Sequence, residues 1–269
     1  MLELFHAAPS YFSMVARLAL AEAEVPTISR LMDIHLAKQQ LSPAYRQLNP
    51  KMTVPTLRGP GLLLTDSSQI LAYAAEHSAI PWADGDPSRS TAIQRAVAGH
   101  YALSIETLTF SKLLVSRPWF KRVMVGMLSG VNATLDREAQ GSADQAAVLE
   151  AKIQQNRARL TVFRDQPAAQ VLAEQRDQVS AYLASLPAVV ASGWLFGGQI
   201  SSADVVLAVL VSRLSFAGEL SLLTRPDLQG WWQRYQQRPA FDAAELWTRF
   251  YRRRFLQALI EARHTSFKP

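Results

Sequence analysis

The 269-residue chain contains no cysteine. Disulfides, thiolate metal sites and a cysteine nucleophile of the protein's own are excluded at once. Its five histidines, His6, His35, His77, His100 and His264, include no pair at i, i+4, so no metal site is expected. Long apolar runs are absent too. The longest, Ala203–Val211, contains Asp204 and is far too short to span a bilayer. The opening Met1-Leu2-Glu3-Leu4-Phe5 lacks the basic and long apolar parts of a secretion signal, which makes a cytoplasmic location the expectation. No glycine loop of the phosphate-binding kind is present, and Gly59-Pro60-Gly61 reads as a hairpin turn. Repeats and low-complexity tracts are absent as well.

What the chain does have is an ordinary globular composition, 49% apolar and 19% charged, with a net charge of +6. Its length suffices for one or two domains with a sizeable core. The basic residues are dispersed and form no nucleic-acid module. The positive balance serves solubility or attracts an anionic ligand.

The most informative stretch is Asn49–Ala74, NPKMTVPTLRGPGLLLTDSSQILAYA. Proline cannot donate to a sheet ladder, so Val54-Pro55 marks the entrance to a strand at Thr56-Leu57 and admits a cis bond. A cis bond there would turn the Val54 N–H and C=O from the sheet and leave them to an extended peptide ligand. A second strand, Leu62-Leu63-Leu64, leads to Asp66 or Ser67 at the N-cap of a helix through Gln69-Ile70-Leu71-Ala72-Tyr73. The free N–H groups of that helix start suit a carboxylate.

Before this stretch, residues 2–6 read as a strand, Ala7–Ser10 as a loop, Tyr11 or Phe12 to Ala23 as a helix, and Thr27–Leu31 as a strand. Asp33–Gln47 is a loop with a short helix. The order, βαβα–ββα, is that of a thioredoxin-like domain. The expected division is a thioredoxin-like domain at 1–78, a linker at 79–86 and an all-helical domain at 87–269. Helices are expected at Thr91–Leu114, Phe120–Leu135, Ala143–Leu160 and Ala168–Leu186. Ser201 with Asp204 forms a capping box at the head of a buried helix. Its role is folding, and Asp204→Ala is expected to cost about 1–2 kcal/mol. Residues 245–269, with Arg249, Arg252, Arg253, Arg254 and Arg263, form a basic amphipathic helix. A solvated helix packed on the second domain is the plainer reading, and a membrane-surface contact the alternative.

VPTL, then a strand, then Asp-Ser-x-x-Ile-x-x-Tyr resembles the glutathione-binding half of the cytosolic glutathione transferases. The resemblance implies that Val54, before Pro55, pairs with the cysteinyl backbone of glutathione, and that Asp66 and Ser67 hold its γ-glutamyl end. Ser10 through Leu20, SYFSMVARLAL, is similar to the Ser-x-x-x-x-x-x-Arg-(Ile/Leu)-Ala-Leu start of the zeta and tau classes. Ser10 matches the catalytic serine, whose hydroxyl donates to the thiolate at a helix start. A lowering of about 2 pKa units corresponds to roughly 2.7 kcal/mol and largely ionises a thiol whose free value is near 8.5. A plain N-cap is the alternative role for Ser10, and Tyr11 and Ser13 are its competitors for the thiolate. Gln39–Pro50 also looks like the zeta pattern, which assigns Gln40 to the glycyl carboxylate.

Residues 13–19 and 54–57 also resemble tetrachlorohydroquinone reductive dehalogenase. That enzyme has a cysteine two residues after the matched serine, where this chain has Phe12. Reductive dehalogenation and omega-type thiol transfer are therefore not expected. Trp194–Phe241 is similar to the ganglioside-induced differentiation-associated branch. The resemblance implies a glutathione transferase with glutathione as co-substrate, a hydrophobic electrophile and a homodimer; the dispersed basic residues point to no nucleic-acid partner, and a membrane partner is the less favoured reading of the basic helix. Alternatives are a non-catalytic glutathione-binding or structural protein, or a zeta-type isomerase. Tyr101, Phe110, Trp119 and Phe120 are candidate lining aromatics, with core packing as their plainer role.

Overall fold

Elements form where local chemistry favours them. The computed structural model describes residues 1–189, 193–265 and 267. Leu2–His6 (β1) and Thr27–Leu31 (β2) run parallel, so the chain crosses between them by helix Tyr11–Glu22 (α1). Thr56–Gly59 (β3) lies antiparallel on the other side of β1, and Leu62–Leu64 (β4) closes a hairpin with it. The hairpin turns at Gly61, whose φ of +69° is a left-handed value that glycine adopts without a Cβ clash. The sheet order is β2-β1-β3-β4. Pro43–Leu48 (α2) and Ser67–Glu76 (α3) complete the βαβα–ββα order. Tyr45 of α2 packs with Phe5, Met32 and Val54, while α1 packs against α3.

Contact density gathers the chain into two compact units, 1–103 with 179–269, and 104–178. The first holds the sheet and its helices together with Pro87–Ala102 (α4). The proposed linker 79–86 contains a short 3-10 turn, Ala83–Gly85, and the Ala83 N–H donates to the Ile200 carbonyl. The second unit holds Ile105–Ser116 (α5), Phe120–Gly141 (α6) and Ala146–Leu160 (α7). Leu114, Met124 and Phe163 form a core there, with Phe110 and Phe120 against it. Ala168–Ser185 (α8) begins in the second unit and ends in the first. Ser202–Ala217 (α9), Pro226–Tyr235 (α10), Pro239–Ala243 (α11) and Arg252–Ala262 (α12) belong to the first.

Four expectations are corrected. Thr91–Leu114 is two helices, with the break at Leu103–Ser104. Leu103 is extended at ψ 133°, which ends α4, and Ser104 precedes α5 without a side-chain cap bond. The first of the two starts earlier than expected, because Asp86 is its N-cap, accepting from the Ser88 N–H, with Pro87 at the first helical position. The helix expected to end at Leu135 runs on to Gly141 and stops at the polar Gly-Ser break. The basic stretch expected to be helical over 245–269 is, among its described residues, helical only over Arg252–Ala262, and α12 packs along β2 of the sheet and not on the second domain; there Ala262 is buried and its carbonyl accepts from Gln39 Nε2 at 2.9 Å. The far end of the 245–269 stretch, at 266 and 268–269, lies outside the described residues.

The capping box at α9 is present and carries more than its cap. The buried Asp204 carboxylate accepts from the N–H of Leu195 and of Ser201, from Ser201 Oγ at 2.6 Å, and from Trp231 Nε1 at 3.0 Å. The helix is buried from Ser202 to Arg213 and on through Leu214, and Gly218 ends it at φ +71°. Burial pushes the Asp204 pKa up to about 6. The unfolded value is about 3.9, so the native state binds this proton more tightly. Asp204's contribution to stability therefore falls as pH rises from about 4 to about 6, and is constant above. Asp204→Ala, which strands these donors, is expected to cost about 2–4 kcal/mol in urea unfolding at neutral pH. A loss below about 1 kcal/mol would contradict the assigned bonds.

Candidate functional site

The register of the sheet decides what meets at its end. The last residue of β1, His6, lies opposite the last of β2, Leu31. The first of β3, Thr56, lies opposite Phe5, and the last of β4, Leu64, opposite Leu57. The segments leaving these positions therefore emerge at one end of the sheet. They are the loop Ala7–Ser10, the loop carrying Gln40, Val54-Pro55, and Asp66-Ser67. All six expected site residues lie on them.

The loop before Ser10 is held by two arginines. Arg17 of α1 is buried, and its guanidinium donates to the carbonyls of Ala7 (3.3 Å) and Ala8 (3.1 Å). It also donates to the carbonyl of Ala244 and to His6 Nδ1. Burial lowers its pKa to about 10, so it stays charged at neutral pH. Arg213 of α9 donates to the Pro9 carbonyl at 2.7 Å and lies over the Tyr11 ring. His6 accepts from Arg17 at Nδ1, which leaves Nε2 to donate to Ser29 Oγ at 2.8 Å. Burial keeps the imidazole neutral by holding its pKa well below the usual value.

The three candidate hydroxyls differ in what they touch. Ser10 is half-buried and is the N-cap of α1, its Oγ accepting from the Ser13 N–H at 3.4 Å. That bond uses an oxygen lone pair and leaves the hydroxyl proton to donate. Ser13 is fully buried, and its Oγ accepts from the Ala7 N–H. The Tyr11 hydroxyl is buried 3.3 Å from His100 Nε2, and burial pushes its pKa well above the usual value. The ring of Phe12 is exposed and stacks on Tyr101.

The Val54-Pro55 bond is cis. Among the described residues no hydrogen bond engages the Val54 N–H or C=O. The segment is fixed by its neighbours. Tyr45 Oη donates to the Thr53 carbonyl at 2.7 Å, and Asn49 Nδ2 donates to the same carbonyl and to Thr56 Oγ1. Asp66 is the N-cap of α3, and its Oδ1 accepts from the N–H and Oγ of Ser68. Ser67 is buried with its Oγ 3.0 Å from Tyr101 Oη. Gln40 is half-buried in the turn Gln39–Leu41. Its Nε2 donates to the Ile34 carbonyl at 3.4 Å, and its buried Oε1 has no partner among the described residues. Its neighbour Gln39 is committed to the fold through Asp33 and Ala262. Two helix N-termini, those of α1 and α3, thus flank the sheet end and favour negative charge there.

The sequence does not single out His100 or Arg213, and it offers Tyr101 only as a lining aromatic, not as the partner of Ser67. His100 and Tyr101 are adjacent on α4, and each bonds a different helix start. Burial holds His100 near pKa 3, so it is neutral. The one available signal was Arg213, a lone charge inside an otherwise apolar run. Of the expected lining aromatics, Phe110 and Phe120 pack in the core of the second unit and Trp119 is exposed. Among the described residues no cluster of side chains suited to a metal ion is found, and no helix is long and apolar enough to cross a membrane.

Family models match most of the chain. The glutathione S-transferase N-terminal domain matches residues 4–82, and the C-terminal domain of the same family matches residues 145–239. The chain is 22% identical over 244 residues to tetrachloro-p-hydroquinone reductive dehalogenase of Sphingobium chlorophenolicum, covering 90% of this chain and 95% of that one. Apo human glutathione S-transferase T1-1 superposes with a TM-score of 0.59 at 21% identity, over 100% of this chain and 92% of that one. The glutathione-bound theta-class enzyme of Xanthomonas axonopodis pv. citri gives a TM-score of 0.52 at 21% identity, over 90% and 96%. At these identities the likeness establishes the fold.

Tyr101→Phe removes the hydroxyl at Ser67 and keeps the stack on Phe12. It is expected to cost about 1 kcal/mol and to speed hydrogen exchange at the first amides of α3. Unchanged exchange there would show that the bond does not hold the helix start.

Proposed function

The chain belongs to the glutathione S-transferase family, and on that premise we propose that it binds glutathione at the shared end of its four strands and activates the thiol beside Ser10. The observation that carries the reading is the half-buried Ser10 hydroxyl at the N-cap of α1, with its proton unused by the cap. The Tyr11 hydroxyl is engaged with His100, and Ser13 is fully buried.

In this reading Val54 pairs its backbone with the cysteinyl residue beside Pro55. The start of α3, with Asp66 and Ser67, receives the γ-glutamyl end, and Gln40 the glycyl carboxylate. Ser10 donates to the sulfur, and the α1 N-terminus stabilises the anion. Both favour the charged form and lower the thiol pKa. The thiolate attacks an electrophilic carbon, a C–S bond forms, and the leaving group departs with its electron pair. Holding both reactants in place converts a two-body reaction into a one-body one. The electrophile is hydrophobic, and the exposed Phe12 ring offers it an apolar surface. The activity named for the Sphingobium relative is not carried over, because resolving a glutathione adduct with a protein thiol has no candidate residue in a chain without cysteine. A cytoplasmic homodimer completes the proposal. Sedimentation as a dimer at micromolar concentration is the expected result.

Calorimetric titration of glutathione into the protein and into Ser10→Ala, with a chlorodinitrobenzene conjugation assay, tests the reading. Both proteins are expected to bind. Conjugation is expected to fall about 10- to 100-fold in the variant, as a loss of up to about 2 pKa units implies. Equal rates would remove Ser10 from the chemistry, and absence of binding would remove the function.

A further inference from the structure

The helix α12 is tied down on one side and bare on the other. Toward the sheet, the Phe255 ring meets His35, Ala262 is buried against β2, and Thr265 Oγ1 donates to the Leu31 carbonyl. Outward, Leu256 and Ile260 stand one turn apart and are 49% and 58% exposed, with Phe250 just ahead of the helix at 56%. A surface helix ordinarily turns such residues inward. Arg252, Arg253 and Arg263 lie three, four or seven residues from Leu256 and so share its face. None of the three forms an ion pair among the described residues, whereas Arg254 is taken by Glu245 and by the rings of Trp247 and Tyr251. From Leu246 to Ile260 the chain carries no acidic residue.

We propose that the outer face of α12 docks on a membrane surface that carries anionic phospholipids. An apolar row flanked by arginines is the pattern of a helix that lies in the interfacial plane. Phe250, Leu256 and Ile260 enter the boundary between headgroups and acyl chains. The arginine stems cover apolar surface while their guanidinium groups meet lipid phosphates and carboxylates. Charge decides against a second copy of this chain as the occupant, since two such faces would set arginine against arginine. The helix has 11 residues, too few to cross a bilayer. Its ties to β2 hold it on the folded protein, so docking needs no unfolding.

The test is co-sedimentation of the full chain with vesicles of phosphatidylcholine alone and of phosphatidylcholine with phosphatidylserine. Leu256→Ser/Ile260→Ser and Arg252→Gln/Arg253→Gln are run beside it. The protein is expected to pellet with the anionic vesicles, to stay in solution with the neutral ones, and to be released as salt rises. The arginine pair is expected to weaken binding about tenfold, and the apolar pair by at least as much. The leucine, the isoleucine and both arginines are exposed, so thermal unfolding of both variants should match that of the unaltered protein. Absence of binding to anionic vesicles, or equal binding by either variant, would overturn the proposal. So would self-association abolished by the variants without vesicle binding, which would give the face to a second copy.

Discussion

The buried guanidinium of Arg17 is the interaction on which the rest of the first unit depends. It gathers the carbonyls of Ala7 and Ala8 at the end of β1 and those of Ala244 and Glu245 from the far end of the chain. A charge buried without partners is strongly destabilising, so these oxygens and His6 Nδ1 must converge for the fold to form. Two consequences follow. The loop that ends in Ser10 has its shape set by donors on α1 and α9. The segment after α11 is drawn over α1, where the Trp247 N–H meets Met14 Sδ, and it continues into α12 along β2.

The helix starts are the second constraint. α1 and α3 begin at the same end of the sheet, and each is capped by its own side chain, Ser10 or Asp66. α4 braces both, through His100 to Tyr11 and through Tyr101 to Ser67. Burial keeps the histidine neutral and both tyrosines protonated. The positive potential at the site therefore comes from the helix ends and from the guanidinium groups of Arg17 and Arg213 on the loop before Ser10, with no charge from His100 or the two tyrosines.

Much of this was legible in the sequence because its signals are short-range. A proline at a strand entrance, Asp66 ahead of a helix and the Ser201–Asp204 box each act over a few residues. The four strands, α1 and α3 lie where those signals put them. The Leu103–Ser104 break was not legible, because apolar spacing runs through it. Nor were the contacts that give the site its shape. Tyr101 lies 34 residues from Ser67, and Arg17 lies 227 from Ala244, so only the fold brings them together. The neighbours Gln39 and Gln40 are alike in sequence and separate only when Ala262 and Asp33 take the first of them.

In the proposed function the Ser10 N-cap ionises a bound thiol. Ultraviolet titration of the thiolate of protein-bound glutathione measures this directly. An apparent pKa well below the free value of about 8.5 is expected, returning toward it in Ser10→Ala. A bound thiol that titrates at the free value in the unaltered protein would contradict that role of Ser10.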